Sequence, residues 1–300
     1  MEENNSHSSG GPNGQTQKKL LENPFVGSLV VPIAIVLVGA LIIFGVTKML
    51  NSERSYRDLV QELQSKTFGN KWIAAYELSK KIATSQIPAE DVPYVVKVLG
   101  ETYQESQQDP RTRDFVIVAL GVLKSEVGLP FIYSALSDAD ANVRYHAIVA
   151  LANMPKDMAI DWAQVLPFLK NDDPGMKQVA ILALSTHKVA QAAPEILGLL
   201  GDSNQLVKYT AATGLINYQS PEAVEILKEI LTLREPEAAN KTNSVGLDGQ
   251  QVANLKIAVL GALQTNNWKV LNDSLEKFSE AEQNQQIALR MKEALNKLKN

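Results

Sequence analysis

The sequence predicts an all-α protein, an α-solenoid of stacked helical hairpins preceded by a single transmembrane helix. Three observations lead there. Residues 25–47 form an apolar run without a charge, apolar residues beyond residue 50 recur three and four apart with no strand-like alternation, and a helical motif returns about every 31 residues. Composition is compatible with this. Of 300 residues, 45% are hydrophobic and 21% charged, which excludes a wholly disordered chain. The absence of cysteine removes disulfides, thiolate metal sites and a cysteine nucleophile. The formal net charge of -4 argues against a general nucleic-acid binder, which would carry a basic excess.

Residues 1–24 are rich in Asn, Ser, Gly and Gln and nearly devoid of apolar side chains, so the sequence predicts a disordered polar tail. The run FVGSLVVPIAIVLVGALIIFGVT follows, and residues 25–49 are expected to form the transmembrane helix. As a helix the run measures about 34 Å against about 30 Å of hydrocarbon, which is enough to span. Lys48, Met49, Leu50 and Asn51 come next rather than a small-residue cleavage site, so an uncleaved anchor fits better than a signal peptide. Lys18 and Lys19 flank one side, and Lys48, Arg54, Arg57 and Lys66 the other. That asymmetry leans towards a single-pass membrane protein with a cytoplasmic solenoid.

Residues 50–69 are expected to link anchor and solenoid, with Tyr56, Leu59, Val60 and Leu63 spaced for a short amphipathic capping helix. Residues 70–300 carry the repeat. Its clearest copy is Asp140, Val143, Arg144, Ala147, Ala150, Leu151. Others centre on Arg113, Lys177, Lys208 and Lys256, with a weak opening copy at Lys71 and a last one in which Ala288 replaces the basic residue. The steps from 113 to 144, 177 and 208 are about 31, 33 and 31 residues, the period of stacked helical pairs. The two longer steps imply insertions near Glu101–Gln108 and Thr232–Gln250.

Each position has a physical role. Asp or Asn at the start can cap orphan backbone N–H groups, and a following Pro lacks only a donor the helix does not need there. The Ala, Ala and Leu positions share one face and keep it shallow enough for the next helix to approach. The basic residue can pair with an acid of its own or a neighbouring repeat, making a ladder, or it can simply be solvated. Second helices are expected near Leu129–Leu136, Trp162–Leu169, Ala193–Leu200 and Ala223–Leu231, separated by turns such as SDADAN, NDDPG and GDSNQ.

The pattern Asp-Pro-x-x-Arg/Lys-x-x-Ala-x-x-Ala-Leu, from Asp109 to Leu215 above all, resembles HEAT repeats of the short type also found in phycobilisome lyases. The resemblance implies a protein-binding surface whose inner face comes from the second helices. Tyr94, Lys97, Tyr103, Tyr133, Trp162, Lys228 and Arg234 lie on or near those helices and are the candidate partner-binding residues, since Tyr, Trp and Arg are favoured interface anchors. The expected function is therefore a membrane-anchored scaffold or adaptor that binds a protein partner, with a lyase-like or other small-molecule activity on the same fold as the alternative. No phosphate-binding loop, nucleophile elbow or HExxH motif is present, and His7, His146 and His187 precede Ser, Ala and Lys. No catalytic residue, cofactor or metal site is expected.

Overall fold

In the computed structural model, the structure describes residues 54–65, 71–84, 87–236 and 242–299. Contacts divide the chain into residues 1–55 and 56–300, and the fold described here is that of the second unit. The expected anchor at 25–49 and the polar tail lie outside the described residues. Among the described residues no helix is long and apolar enough to cross a membrane, and no strand occurs.

The second unit is a stack of two rows of helices. The first row is α2 (Lys71–Ala83), α4 (Pro110–Leu123), α6 (Ala141–Ala152), α7 (Pro174–Thr186), α9 (Gln205–Leu215), α11 (Gly249–Thr265) and α13 (Gln285–Lys299), each packed on the next. These are the seven repeat copies read from the sequence. The second row is α1 (Tyr56–Gln64), α3 (Val92–Glu105), α5 (Leu129–Ala135), a pair of 3-10 turns at Trp162–Gln164 and Leu166–Lys170, α8 (Ala193–Gly198), α10 (Val224–Thr232) and α12 (Asn272–Ala281). The expected helix over 162–169 is thus a correction. Pro167 would remove an N–H from the middle of such a helix and press its ring on the carbonyl four residues back, so the chain breaks into two short turns instead.

The small-residue face of the motif forms the core. Ala147, Ala150 and Leu151 of α6 are buried, as are Ala180, Ala183 and Leu184 of α7 and Ala211, Gly214 and Leu215 of α9. Without a basic residue, α13 still buries Ile287, Met291, Ala294 and Leu295, so the last copy keeps its packing face. At the opposite end α1 buries Leu59, Val60 and Leu63 against α2 and α3.

Six of the first-row helices, α4, α6, α7, α9, α11 and α13, begin in one way. The side chains of Asp109, Asp140, Asp173, Asn204, Asp248 and Asn284 each accept N–H bonds from the first turn of the helix that follows. Two residues before four of those caps stands a second polar residue. The backbone N–H groups of Asp140, Asp173, Asn204 and Asn284 donate to the side chains of Asp138, Asn171, Asp202 and Glu282 at 2.8–3.0 Å.

The acids of this second position receive the basic residues of the preceding first-row helix. Arg113 makes a two-pronged bond to Asp138 at 2.8 Å and 2.8 Å, with both side chains about 5% exposed, and also donates to the carbonyls of Ser106 and Gln107. Lys177 bonds Asp202 at 2.7 Å, and Lys256 bonds Glu282. Lys208 pairs instead with Glu229 of α10, and Lys71 with Glu105 of α3. Where Asn171 replaces the acid, Arg144 donates to the carbonyls of Asp138 and Ala139. The basic position is therefore a ladder, in which Arg113, Lys177 and Lys256 tie one repeat to the turn that starts the next.

Two predictions follow from this packing. A Cβ on Gly121 would lie 2.7 Å from Ala150 Cβ and 2.9 Å from its Cα, so Gly121→Ala must push α4 from α6. It is expected to lower stability by about 1–3 kcal/mol, while Gly198→Ala, with nothing within 4 Å, raises it by about 0.4–1 kcal/mol; chemical denaturation distinguishes the two. The second concerns acid. Burial pushes the Asp138 carboxyl up, but the bonds from Arg113, Asp140 and Tyr103 outweigh it and hold the carboxyl below its usual range. Asp202 is lowered by its bond from Lys177. A depressed folded pKa gives stability that is present above the unfolded value and lost as pH falls through the folded one. Thermal midpoints are expected to drop steeply below about pH 4, where unfolded carboxylates titrate.

Candidate interaction surface

The seven candidate residues do not form one patch. Tyr94 and Lys97 lie on the open side of α3, 52% and 71% exposed, with the Tyr94 hydroxyl 3.2 Å from Gln64 Oε1 and Lys97 beside Glu101. Tyr103 is a correction to the surface expectation. It is 6% exposed, and its hydroxyl donates to Asp138 at 2.9 Å, which makes it part of the Arg113 rung. Burial and then that bond push its hydroxyl up to about 12, so it stays protonated. Tyr133 and Trp162 each tie the 3-10 segment to a neighbouring helix. The Tyr133 hydroxyl accepts from the Asp161 N–H at 2.8 Å, and the half-buried Trp162 ring packs 4.5 Å from the ring of His187. His187 caps the end of α7 and donates through Nε2 to the Ala152 carbonyl at 3.0 Å. Lys228 pairs with Glu225 one turn away on α10. Arg234 is exposed just past α10 and lines a cavity with Lys256 and Glu282.

The larger apolar exposure is on the first row, not the second. Five residues beyond the basic position stand Tyr76, Val118, Val149 and Leu182 in α2, α4, α6 and α7. Tyr76 and Leu182 are 42% and 49% exposed, and Val118 and Val149 are half-buried between them. Phe115 packs on Tyr76 and on Trp72 at one end of this stripe, with ring centres 5.2 Å and 6.2 Å apart. At its other end a groove of about 340 Å³ opens between α7, α9 and α11, lined by Leu182, Leu206, Thr210, Thr213, Leu255 and Ala258, with Gln251 and Asn254 at its edge. None of those lining side chains is charged. The sequence carried this signal in the apolar residues at one fixed offset of four successive repeats, which a search restricted to the second helices passes over.

Beside the stripe, His146 Nδ1 lies 2.5 Å from Asp114 Oδ1, bridging α6 and α4, with the adjacent exposed Tyr145 edge-on to the imidazole. The bond to Asp114 holds the imidazole pKa above its usual value against the opposing effect of burial. Neighbouring sequence gave no sign of this pair, because its two members sit one repeat apart. Among the described residues no group of three or more His, Asp or Glu side chains stands close enough to hold a metal.

A family model described as HEAT repeats matches residues 161–240. The crystal structure of YibA from E. coli superposes with a TM-score of 0.53 at 16% identity, over 84% of this chain and 84% of that one. The fold is a HEAT-like solenoid. Two engineered proteins of known structure give TM-scores of 0.44 each at 18% and 17% identity; both cover 82% of this chain, and 97% and 68% of their own. No curated protein matches the sequence. The stack of paired, capped helices is of the HEAT type in its fold.

The His146–Asp114 pair yields a signed prediction. A raised folded pKa means that its contribution is complete below the unfolded value, near 6.5, and is lost as pH rises through the folded value. Imidazole proton shifts followed by NMR are expected to place His146 above an ordinary histidine, and Asp114→Asn is expected to return it towards that value. A His146 that titrates identically in both proteins contradicts the pairing.

Proposed function

We propose that this chain is a protein-interaction scaffold whose HEAT-like stack docks a protein partner across the first-row face, held near a membrane by residues 25–49. The observation that carries the reading is the stripe of Tyr76, Val118, Val149 and Leu182 running into the uncharged groove of α7, α9 and α11. Isolated exposed apolar residues are ordinary on a protein surface, but a contiguous band repeated at one offset is the form an interaction site takes. Tyr145 on α6, beside this band, and Tyr94 on α3, on the other row, are exposed aromatic side chains of the kind that anchor interfaces. The uncharged run at 25–47 supports the tether, which raises the local concentration of a membrane-bound partner. The excess of lysines and arginines on the solenoid side of this run supports a cytoplasmic solenoid.

Crosslinking of the full-length chain in intact cells, followed by mass spectrometry, tests this. Leu182→Asp and Tyr145→Ala are expected to abolish the principal crosslink while changing stability by no more than about 0.5 kcal/mol, as befits exposed positions. The full chain is expected to sediment with membranes and to be released when residues 25–47 are deleted. An unchanged crosslink in both variants overturns the docking face, and a chain that stays in the soluble fraction overturns the tether.

A further inference from the structure

The first-row face has a second property besides its apolar stripe, and it concerns charge. In α6, α7, α9 and α11 the positions two before and one, two and five after the basic residue share one side of the helix. In a chain that is 21% charged, none of these sixteen residues is Asp, Glu, Lys or Arg. The one histidine among them, His146, is already bonded to Asp114 of α4. Of the basic residues themselves, Arg144, Lys177 and Lys208 are engaged by carbonyls and acids beside the row, and Lys256 is buried. Charge returns at the two sides of this face, with Arg111 and Asp114 in α4 and Arg290 and Glu293 in α13. The second row is different, with Lys97 and Glu101 of α3 and Glu225 and Lys228 of α10 paired at the surface.

Size and composition together narrow what covers such a face. Neighbouring helices stand about 8–10 Å apart and a 12-residue helix is about 18 Å long, so the uncharged face measures about 600–700 Å², and about 900–1,000 Å² with the stripe over α2 and α4. One side of a stable protein–protein interface is about 800 Å². A face that recognises a different protein carries charges that select and steer it. A face that meets its own copy has the opposite requirement. Across a two-fold axis each residue near the axis opposes itself, so any charge there is repelled.

We propose that the occupant of this face is a second copy of the chain, packed first row to first row about a two-fold axis that runs along α7 past Leu182. This rests on the docking-face reading and names its partner. Such an axis sets α7 on α7, α6 on α9 and α4 on α11 of the other copy. Leu182, 49% exposed, meets its counterpart. Tyr145, 39% exposed and one residue past the basic position, comes to the groove of about 340 Å³ between α7, α9 and α11. The groove walls Leu206, Thr210, Leu255 and Ala258 lie from two residues before that position to two after it, so ring and groove stand at one height. The contact is made twice, as an isologous interface demands.

The axis direction also suits tethered chains. Tyr56 at the start of α1 bonds Asp91 just ahead of α3, which puts it at the edge where the first-row helices end. Rotation about a line parallel to those helices keeps Tyr56 of both copies at that one edge, as two chains held in one membrane require.

The chain has no cysteine, so a single introduced one reports its own contacts. Thr186 is exposed one turn beyond Leu182 on α7, along the axis, and Lys97 on α3 serves as the control. Full-length Thr186→Cys and Lys97→Cys chains in native membranes are treated with a short bismaleimide. Thr186→Cys is expected to give a covalent dimer of the chain and Lys97→Cys to give none. Adding Leu182→Asp or Leu182→Lys to Thr186→Cys is expected to cut the dimer by at least about tenfold, since each sets like charges together at the axis. Making the Asp and Lys chains together, with different tags, is expected to restore it as a mixed dimer, because opposite charges then meet. A merely structural role for Leu182 would not give that rescue. No Thr186→Cys dimer, an equal yield from Lys97→Cys, or a mixed pair no better than either variant alone overturns the second copy. A Thr186→Cys crosslink to a different protein alone overturns the second copy and leaves the docking face standing, whereas no crosslink to any chain overturns both.

Discussion

A positive charge is buried at the joint between repeats, and the rest of the stack is arranged around neutralising it. Arg113 is the plainest case, because almost all of its side chain is removed from water and each bond it makes goes to an adjoining turn. Removing one partner of such a pair leaves a charge stranded in a poor solvent, which costs about 3–5 kcal/mol. The turn must therefore present its acid at one place. Fixing that acid through the N–H of the cap residue two positions on fixes the start of the next helix with it. Local capping and long-range stacking are in this way one structure, and the register of each repeat is inherited by its neighbour.

Much of this was legible from particular residues. The Asp or Asn caps, the Ala-x-x-Ala-Leu faces and the basic position all appear in the sequence, and α13 could be placed although Ala288 breaks the charge pattern. What could not be read was which acid meets which base. The sequence shows Asp138 and Asp140 side by side in SDADAN, but only the three-dimensional turn separates their tasks, the first for Arg113 and the second for α6. Tyr103 illustrates the same limit. Its helix suggests an exposed aromatic, while the neighbouring repeat folds Asp138 over its hydroxyl. At 162–169 apolar spacing predicts one helix, whereas the chain forms two 3-10 turns around Pro167. His146 and Asp114 meet only through the stacking of α4 and α6.

The two surfaces have different origins. The first-row stripe is a regular product of the repeat, with one offset left apolar in four successive helices. The cavity beside Lys256 is a product of irregularity. An insertion after α10 takes the place of the short turn that supplies carbonyls to Arg113 and Arg144, and Lys256 meets Glu282 instead. Repeat proteins concentrate variation in such loops because neighbouring repeats keep the stack intact around them.

The most direct test of this account is a double-mutant cycle on the ladder itself, using Arg113→Met, Asp138→Leu and the pair, with unfolding free energies measured by chemical denaturation on the same chain. The account predicts that each single replacement is strongly destabilising and that the double is much less so than their sum, giving a coupling of about 2–3 kcal/mol. Additive effects, with no coupling beyond about 0.5 kcal/mol, would show that the buried rungs do not hold the repeats together.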